Sequence, residues 1–459
     1  METAAIWSEV LDYAPKLLEF QRQHQRMPGF QVAVAVDGKL LGSFSGGFAD
    51  VAAGTLMTED TLFRVASHSK TFTGTAIMQL VEQGKVRLDD PVEQHVPELK
   101  GTEMAGVTVA ELLSHSSGIT RDGDDSDFWI LSRKFPSRDE LIEMAKTGKR
   151  NEPGAHLKYS NVGYSLLGLV IEEASGQDYA AYVTENIVNR LGLRNTGPEL
   201  DPAREPELAR GYSALTYAPE RSTIDHIDTH SMAAATGFYS TAADLVTYFS
   251  AHLPGDDTLL TDRSKRRMQH PVWAASGANH GYGLGLMLAE VQGKQVFGHG
   301  GGYPGHITRT WVDPESRVCV SVLTNSLDGP ANTWVNELFA LASIIAKEPT
   351  SAVPEGTDLS RFTGRFASLW GLGDVVELGG KLVEVSPAAM GIDVDGLTEL
   401  EYVDESTLRS LEPTGFGGRG ETMHYEFDDD GASAIRGPGG MLQRRHADFQ
   451  IEERVSIPV

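Results

Sequence analysis

Runs with strand character stand on both sides of a long helical stretch, and this order constrains the fold more than any other feature of the chain. Phe30 to Val36 reads as a strand, Asp37-Gly38 as a tight turn and Lys39 to Phe44 as a returning strand, which together make a hairpin. Strand character comes back near 282–289, 294–298, 306–312 and 317–324. Residues from about 85 to 235 hold helices and long loops rich in turn residues. A helix is predicted near 5–26, another from Ser240 to about Leu253, and a closing one from about Ala331 to Ala346. Strands at both ends with helices between predict an α+β fold, one antiparallel sheet flanked by helices with a helical insertion. A cleft forms naturally between such a sheet and its insertion.

Three runs place reactive side chains in that frame. The first is Phe63-Arg64-Val65-Ala66-Ser67-His68-Ser69-Lys70-Thr71. On a helix, Ser67 and Lys70 share a face, so hydroxyl and amine can touch. A serine hydroxyl is a poor nucleophile until a base takes its proton, and a lysine is that base only when burial or a neighbouring cation deprotonates it. Read alone, the pair also fits a helix-capping serine followed by a surface lysine.

The second run is Lys158-Tyr159-Ser160-Asn161, set by the turn signal Asn151-Glu152-Pro153-Gly154 just ahead of the apolar helix Val162 to Ile171. It offers a phenol for proton transfer and a carboxamide able to hold both a lysine and a substrate carbonyl. A packed tyrosine with a helix-capping asparagine is the plainer alternative. The third is Phe297-Gly298-His299-Gly300-Gly301-Gly302-Tyr303-Pro304-Gly305. Consecutive glycines at a strand edge admit a substrate backbone and expose N–H groups to a developing oxyanion. A glycine-rich turn with a structural histidine has the same composition.

Ser-x-x-Lys, then Tyr-x-Asn about ninety residues on, then a His-x-Gly element late in the domain: this order resembles the penicillin-recognising serine hydrolases. That family includes class C β-lactamases, DD-peptidases, D-aminopeptidases and β-lactamase-like esterases. Leu112-Leu113-Ser114-His115-Ser116-Ser117-Gly118-Ile119, Ala234 to Leu245, and Tyr282-Gly283-Leu284-Gly285-Leu286 resemble further segments of the family, and the likeness covers about residues 10–345. The resemblance implies that Ser67 is the acyl-accepting nucleophile, Lys70 the amine that activates it, and Tyr159 the partner base and the acid for the leaving group. It implies that Asn161 positions Lys70 and substrate, and that the oxyanion hole is built from the N–H of Ser67 and, in the Gly301-Gly302 run, that of Gly302. His299 occupies the place where β-lactamases and many DD-peptidases carry a lysine. Histidine is only partly cationic near neutral pH, so the reason to bind β-lactam carboxylates weakens. The D-aminopeptidase, D-amidase and esterase members become the better match.

Other polar residues have plainer expectations. His115, at a helix end, is expected to tie the following turn with hydrogen bonds in preference to a catalytic role. His306 and Arg309 lie on a strand, and one of them either meets a substrate carboxylate or is a solvent-facing or packed strand residue. Asp122, Asp124, Asp125 and Asp127 form an acidic loop without an EF-hand ligand pattern, which favours a solvated or substrate-lining loop over a calcium site. The single cysteine, Cys319, lies in a buried strand pattern and reads as a small core residue. It allows no disulfide within the chain and no cysteine-based metal site, and the reading calls for no cofactor.

A chain of 459 residues holds more than one domain. The hydrolase domain is expected over 1–348, with its insertion at about 85–235, a linker at 349–357, and an all-β domain over 358–459, a barrel or sandwich of short strands split by Gly-Gly and Asp-Gly turns. This last part resembles the lipocalin-like domains carried by some family members. The net charge of −25 argues against nucleic acid or an anionic membrane surface as partner. No basic leader and no run of eighteen apolar residues is read, so a cytoplasmic location is expected, with a small molecule or short peptide as substrate and a homo-oligomer left open. The expected activity is cleavage of amides or esters through an acyl-serine, most of all of D-amino-acid peptides or amides. Carboxylic esters come second and β-lactams third. A non-catalytic binding or scaffold protein is the alternative from another class, disfavoured because Ser67, Lys70, Tyr159 and Asn161 are all present.

Overall fold

The computed structural model describes residues 2–274 and 280–451. Met1 and the last eight residues of the expected all-β domain, 452–459, therefore lie outside the described residues. The chain divides into two compact units: Arg26–Val335, and the two segments Met1–Gln25 and Asn336–Val459 together.

Residues 26–335 are organised by an eight-stranded sheet. Its strands are β1 (Gly29–Val36), β2 (Lys39–Asp50), β3 (Thr55–Leu56), β4 (Gly281–Tyr282), β5 (Met287–Val291), β6 (Lys294–Tyr303), β7 (His306–Asp313) and β8 (Val318–Thr324), in the order β3-β2-β1-β8-β7-β6-β5-β4. All of the pairings are antiparallel. The β1–β2 turn places Asp37 and Gly38 at φ 50° and 77°, the left-handed pair that a two-residue hairpin needs. β1 and β8, adjacent at the centre, are buried along their whole length. This is why Cys319 is a core residue, its thiol pushed up by burial.

Two helices meet beside the sheet, one before the insertion and one within it. Helix α1 (Ser69–Glu82) is buried from Ser69 to Gln79 and on through Leu80. Its threonines remain tolerable there because their hydroxyls are paired: Thr73 donates to the Ala234 carbonyl at 2.7 Å and Thr75 meets the Tyr248 hydroxyl at 2.9 Å. Helix α2 (Asn161–Ser175) starts on the Ser160 cap, whose Oγ accepts from the Gly163 N–H at 2.8 Å, and stops at Gly176 with φ 73°.

β6 is longer than the predicted 294–298. By sequence the glycines after 298 are open to a strand edge or a turn, since glycine disfavours strands; pairing with β7 carries the strand on to Tyr303. β5 pairs only with Lys294 to Gly298. From His299 onward no strand among the described residues pairs with that edge of β6.

In the other unit, β9 (Gly364–Ser368), β10 (Gly371–Leu378), β11 (Lys381–Val385), β12 (Thr398–Asp404), β13 (Thr407–Ser410), β14 (Thr422–Asp428), β15 (Gly431–Arg436) and β16 (Leu442–Arg445) close into a barrel. Phe362, Phe366, Leu382, Leu408, Met423 and Ile435 belong to its core. Of the two all-β forms expected, the barrel is the one adopted. The helix Thr3–His24 lies in this unit, with Trp7 set edge-on to Phe339 at 5.2 Å. No helix is long and apolar enough to cross a membrane.

Candidate active site

Ser67 sits in a single 3-10 turn, Ala66–His68, immediately before α1. Ala66 takes φ 46°, a left-handed conformation that costs a non-glycine residue energy and recurs where a backbone is forced to present a side chain. The turn is tied down from both sides. Ser69 Oγ donates to the Ala66 carbonyl at 2.5 Å and accepts from the Phe238 N–H at 3.0 Å. Ser67 itself is half-buried.

Lys70 follows one turn later with no exposed surface. Its Nζ stands 3.1 Å from Ser67 Oγ, 2.7 Å from Asn161 Oδ1 and 2.8 Å from the Ala235 carbonyl. Burial holds the amine well below its usual pKa; Asp122 pulls it back up and Arg121 pushes it further down. A neutral amine has two donors and one lone pair. Asn161 Oδ1 and Ala235 O can only accept, so they take the two N–H groups and leave the lone pair for the Ser67 hydroxyl.

Tyr159 leaves the loop before α2 half-buried, with its phenol hydrogen-bonded to the Ser67 side chain. Its ring centroid is 4.8 Å from Lys70 Nζ. Burial raises the phenol above its ordinary range, partly offset by the Ser67 hydrogen bond and by Arg121. The resting state therefore pairs a phenol with an amine that burial drives toward neutrality. Ser67 Oγ lies between a proton acceptor and a proton donor.

Asn161 is the first residue of α2 and is 2 % exposed. Its Nδ2 donates to Asp122 Oδ1 at 2.7 Å. His115 underlies the group. It takes φ 58°, its Nδ1 accepts from the Ser160 N–H at 3.1 Å, its carbonyl accepts from the Lys158 N–H at 2.8 Å, and its ring lies 4.1 Å from that of Tyr159. The expected turn-tying role fits.

On β6 the side chains alternate. His299 and Gly301 face the turn that holds Ser67: the His299 ring is 6.2 Å from that of His68, and a Cβ at Gly301 would stand 2.1 Å from the Val65 carbonyl oxygen. His299 is 1 % exposed. Its Nδ1 is 2.7 Å from the Gly300 carbonyl, which can only accept, so the proton is on Nδ1. Nε2 then accepts from the Tyr282 hydroxyl at 3.0 Å. Burial holds this imidazole well below its usual pKa. It is a neutral strut. Gly302, on the other face, is exposed.

Arg309 pairs across with Gly300, and its guanidinium lies in the space a side chain at 300 would take, 2.7 Å from a built Cβ. It stands 4.8 Å from the Trp311 ring, with Nε unpartnered, and it makes no ion pair among the described residues. Burial lowers it to about 10. His306 is fully buried against Phe63, 5.6 Å between ring centroids.

Several members of the group escape a reading of motifs. Asp122 is one of four aspartates in a loop, Ala235 contributes only a carbonyl, and Tyr282 appears in the sequence merely as part of a Tyr-Gly-Leu-Gly strand. Among the described residues no group of three or more His, Cys, Asp or Glu could hold a metal ion.

The model of the Beta-lactamase family matches residues 15–341. Penicillin-binding protein 4 of Amycolatopsis lactamdurans is 29 % identical over 340 residues, 69 % of this chain and 85 % of that protein. The octameric penicillin-binding protein homologue of Pyrococcus abyssi superposes with a TM-score of 0.65 at 24 % identity, over 95 % of this chain and 100 % of that one. The D-amino acid amidase of Ochrobactrum anthropi SV3, solved with L-phenylalanine amide, superposes with a TM-score of 0.64 at 27 % identity, over 72 % of this chain and 97 % of that one.

Proposed function

The chain belongs to the Beta-lactamase family, and from that premise we propose that it is a serine hydrolase acting on small amides, D-amino-acid amides or peptides before all others. The observation that carries the reading is the set of three contacts around Lys70 Nζ: two acceptors at 2.7 and 2.8 Å and Ser67 Oγ at 3.1 Å. The Ser67 proton passes to Nζ while Oγ attacks the carbonyl carbon. The N–H groups of Ser67 and Gly302 receive the oxyanion. As the tetrahedral intermediate collapses, the Tyr159 phenol gives its proton to the leaving amine and is reprotonated from the Lys70 ammonium. Water then repeats the sequence on the acyl-Ser67 ester.

The D-amide preference rests on the likeness to the D-amino acid amidase, 97 % of which is covered. The neutral His299 supports it by removing the cation that a β-lactam carboxylate would seek. Carboxylic esters are the nearest alternative substrates. The test is a panel of D- and L-phenylalanine amides beside p-nitrophenyl acetate and a cephalosporin, with intact mass to follow an adduct on Ser67. Turnover of the D-amide with a transient acyl adduct is expected. Lys70→Ala should lose acylation by several orders of magnitude. No adduct from any substrate would end the reading.

Arg309 favours a second reading of the leaving group. A guanidinium without an ion pair, its field reaching Tyr159, suits a substrate whose leaving amine bears a carboxylate, a D-dipeptide instead of a simple amide.

A further inference from the structure

Four aspartates fall within six residues of the loop after Thr120, and the structure separates them. Asp124 pairs with Arg150 and Asp125 with Arg133 at the surface. Asp122 alone turns inward and is 8 % exposed. Its Oδ1 accepts from Asn161 Nδ2 at 2.7 Å, and its Oδ2 lies 3.1 Å from the Nε of Arg121, an exposed side chain. The same dipeptide holds the backbone of α2, since the Arg121 carbonyl accepts from the N–H of Asn161 at 2.9 Å and of Val162 at 3.2 Å.

We propose that Asp122 is a positioning residue for the general base: its carboxylate fixes the orientation of the Asn161 amide and, through it, the place of Lys70 Nζ. The proposal rests on the Ser67–Lys70 reading above. A carboxamide has two orientations of nearly equal shape. With Oδ1 toward Lys70 and Nδ2 toward Asp122, both ends are matched. Reversed, the amide N–H groups would face the donors of Lys70, and the amide oxygen would face a carboxylate that can only accept. Asp122 thus makes the reversal costly at both ends. One Nδ2 proton is still free for a substrate carbonyl.

The same carboxylate acts by charge. The groups around Lys70 are Ser67 on its own turn, Tyr159 from the loop before α2, Asn161 and Tyr164 on the first turns of α2, His115 and the Arg121–Asp122 pair from earlier in the chain, and His299 from β6. Both histidines are held neutral by burial. Among these groups, Asp122 and Arg121 are therefore the ones that bear charge. Arg121 is largely in water, where its field is screened. Asp122 offsets part of the effect of burial on Lys70 and so raises the basicity of the amine that receives the Ser67 proton.

The test compares wild type with Asp122→Asn, which keeps an acceptor of the same shape without the charge, and with Asp122→Ala. Two measurements are made: the titration of the Lys70 Cε by NMR of 13C-lysine-labelled protein, and the pH dependence of Ser67 acylation by p-nitrophenyl acetate. The Lys70 midpoint and the acid limb of acylation should fall together by at least about half a pH unit in Asp122→Asn, because the charge is lost while the hydrogen bond stays. In Asp122→Ala the acylation rate constant should also fall about 10- to 100-fold with KM little changed, as misplacement of a catalytic group predicts. A Lys70 titration identical in wild type, Asp122→Asn and Asp122→Ala, with acylation by Asp122→Ala at the wild-type rate, would overturn the proposal. A Lys70 midpoint that moves between wild type and the variants of a protein that never acylates would uphold the coupling of Asp122 to Lys70 and refute the hydrolase reading instead.

Discussion

Gly301 faces the carbonyl of Val65 with no room between them for a side chain: a Cβ at 301 would stand 2.1 Å from Val65 O and 2.5 Å from Thr308 Oγ1. Backbone is the obstacle, and it belongs to the turn that presents Ser67, so neither side can yield locally. Gly302, one residue on, is open; its Cβ would meet only Ile307 Cδ1, at 3.7 Å. Gly301→Ala should cost about 2 kcal/mol of stability and, by prising β6 off the Ser67 turn, about 100-fold in acylation. Gly302→Ala should fold as wild type does. Thermal melting and acylation rates measure both, and equal losses in the two variants would contradict the packing described.

His299 should not titrate in the working range. Its Nδ1 proton is held by Gly300 O and its Nε2 by the Tyr282 hydroxyl, and burial opposes a charge. The sign is downward, so a fall in pH through 6.5, where a free imidazole protonates, should leave it neutral. Side-chain 15N NMR should report one Nδ1–H tautomer from pH 5.5 to 8. His299→Gln, which can still donate and accept, should retain acylation within about tenfold, the size of effect expected from losing one neutral hydrogen bond of about 1 kcal/mol. A half-protonated His299 near pH 6.5 would show that the strut is really a cation.

How far the sequence exposes this site depends on what carries each role. Ser67, Lys70, Tyr159 and Asn161 are readable because side-chain type and spacing state their chemistry. The Ala235 carbonyl has no such signature, since any residue supplies one. Asp122 is visible but not distinguishable from Asp124 and Asp125: which carboxylate turns inward follows from the path of the loop across α2, set by Arg121 O and the Asn161 N–H. The β1–β2 hairpin is legible from Asp37-Gly38, whereas β6 reads short because pairing with β7, not intrinsic preference, makes its glycines a strand. The barrel's alternation is legible strand by strand; that it closes on itself depends on β9 pairing with β16, a contact no local pattern encodes.

Arg309 and Gly300 form a matched pair, because the guanidinium fills the volume a Cβ at 300 would need. The far end of a flexible side chain can move, so Gly300→Ala should fold and displace Arg309. If the guanidinium receives a leaving-group carboxylate, Arg309→Met and Gly300→Ala should both raise KM about tenfold or more for D-phenylalanyl-D-alanine, the loss of roughly one charge-assisted hydrogen bond. D-phenylalanine amide, with no carboxylate, should be handled as by wild type. An equal change for both substrates would remove Arg309 from recognition.

Glu337 offers a test of pH-dependent stability in the unit that carries the barrel. Its carboxyl is 1 % exposed, with Oε1 accepting from Gln21 Nε2 at 3.3 Å and from the Gly391 N–H at 2.5 Å, and Oε2 unpartnered. Burial pushes it up from 4.5 to about 7. A raised carboxyl pKa means that the folded state binds the proton more tightly than the unfolded state. Stability from this group is therefore fully present below about 4.5, falls as pH rises from there to about 7, and stays lost above. The difference between the two values corresponds to roughly 3 kcal/mol. Glu337→Gln is neutral at every pH and keeps an acceptor for Gly391. Its thermal midpoint should exceed that of wild type at pH 8, and the gap should close or reverse at pH 5, where wild type carries its proton. A gap of the same size at both pH values would mean that Glu337 is not the group whose ionisation strains this unit.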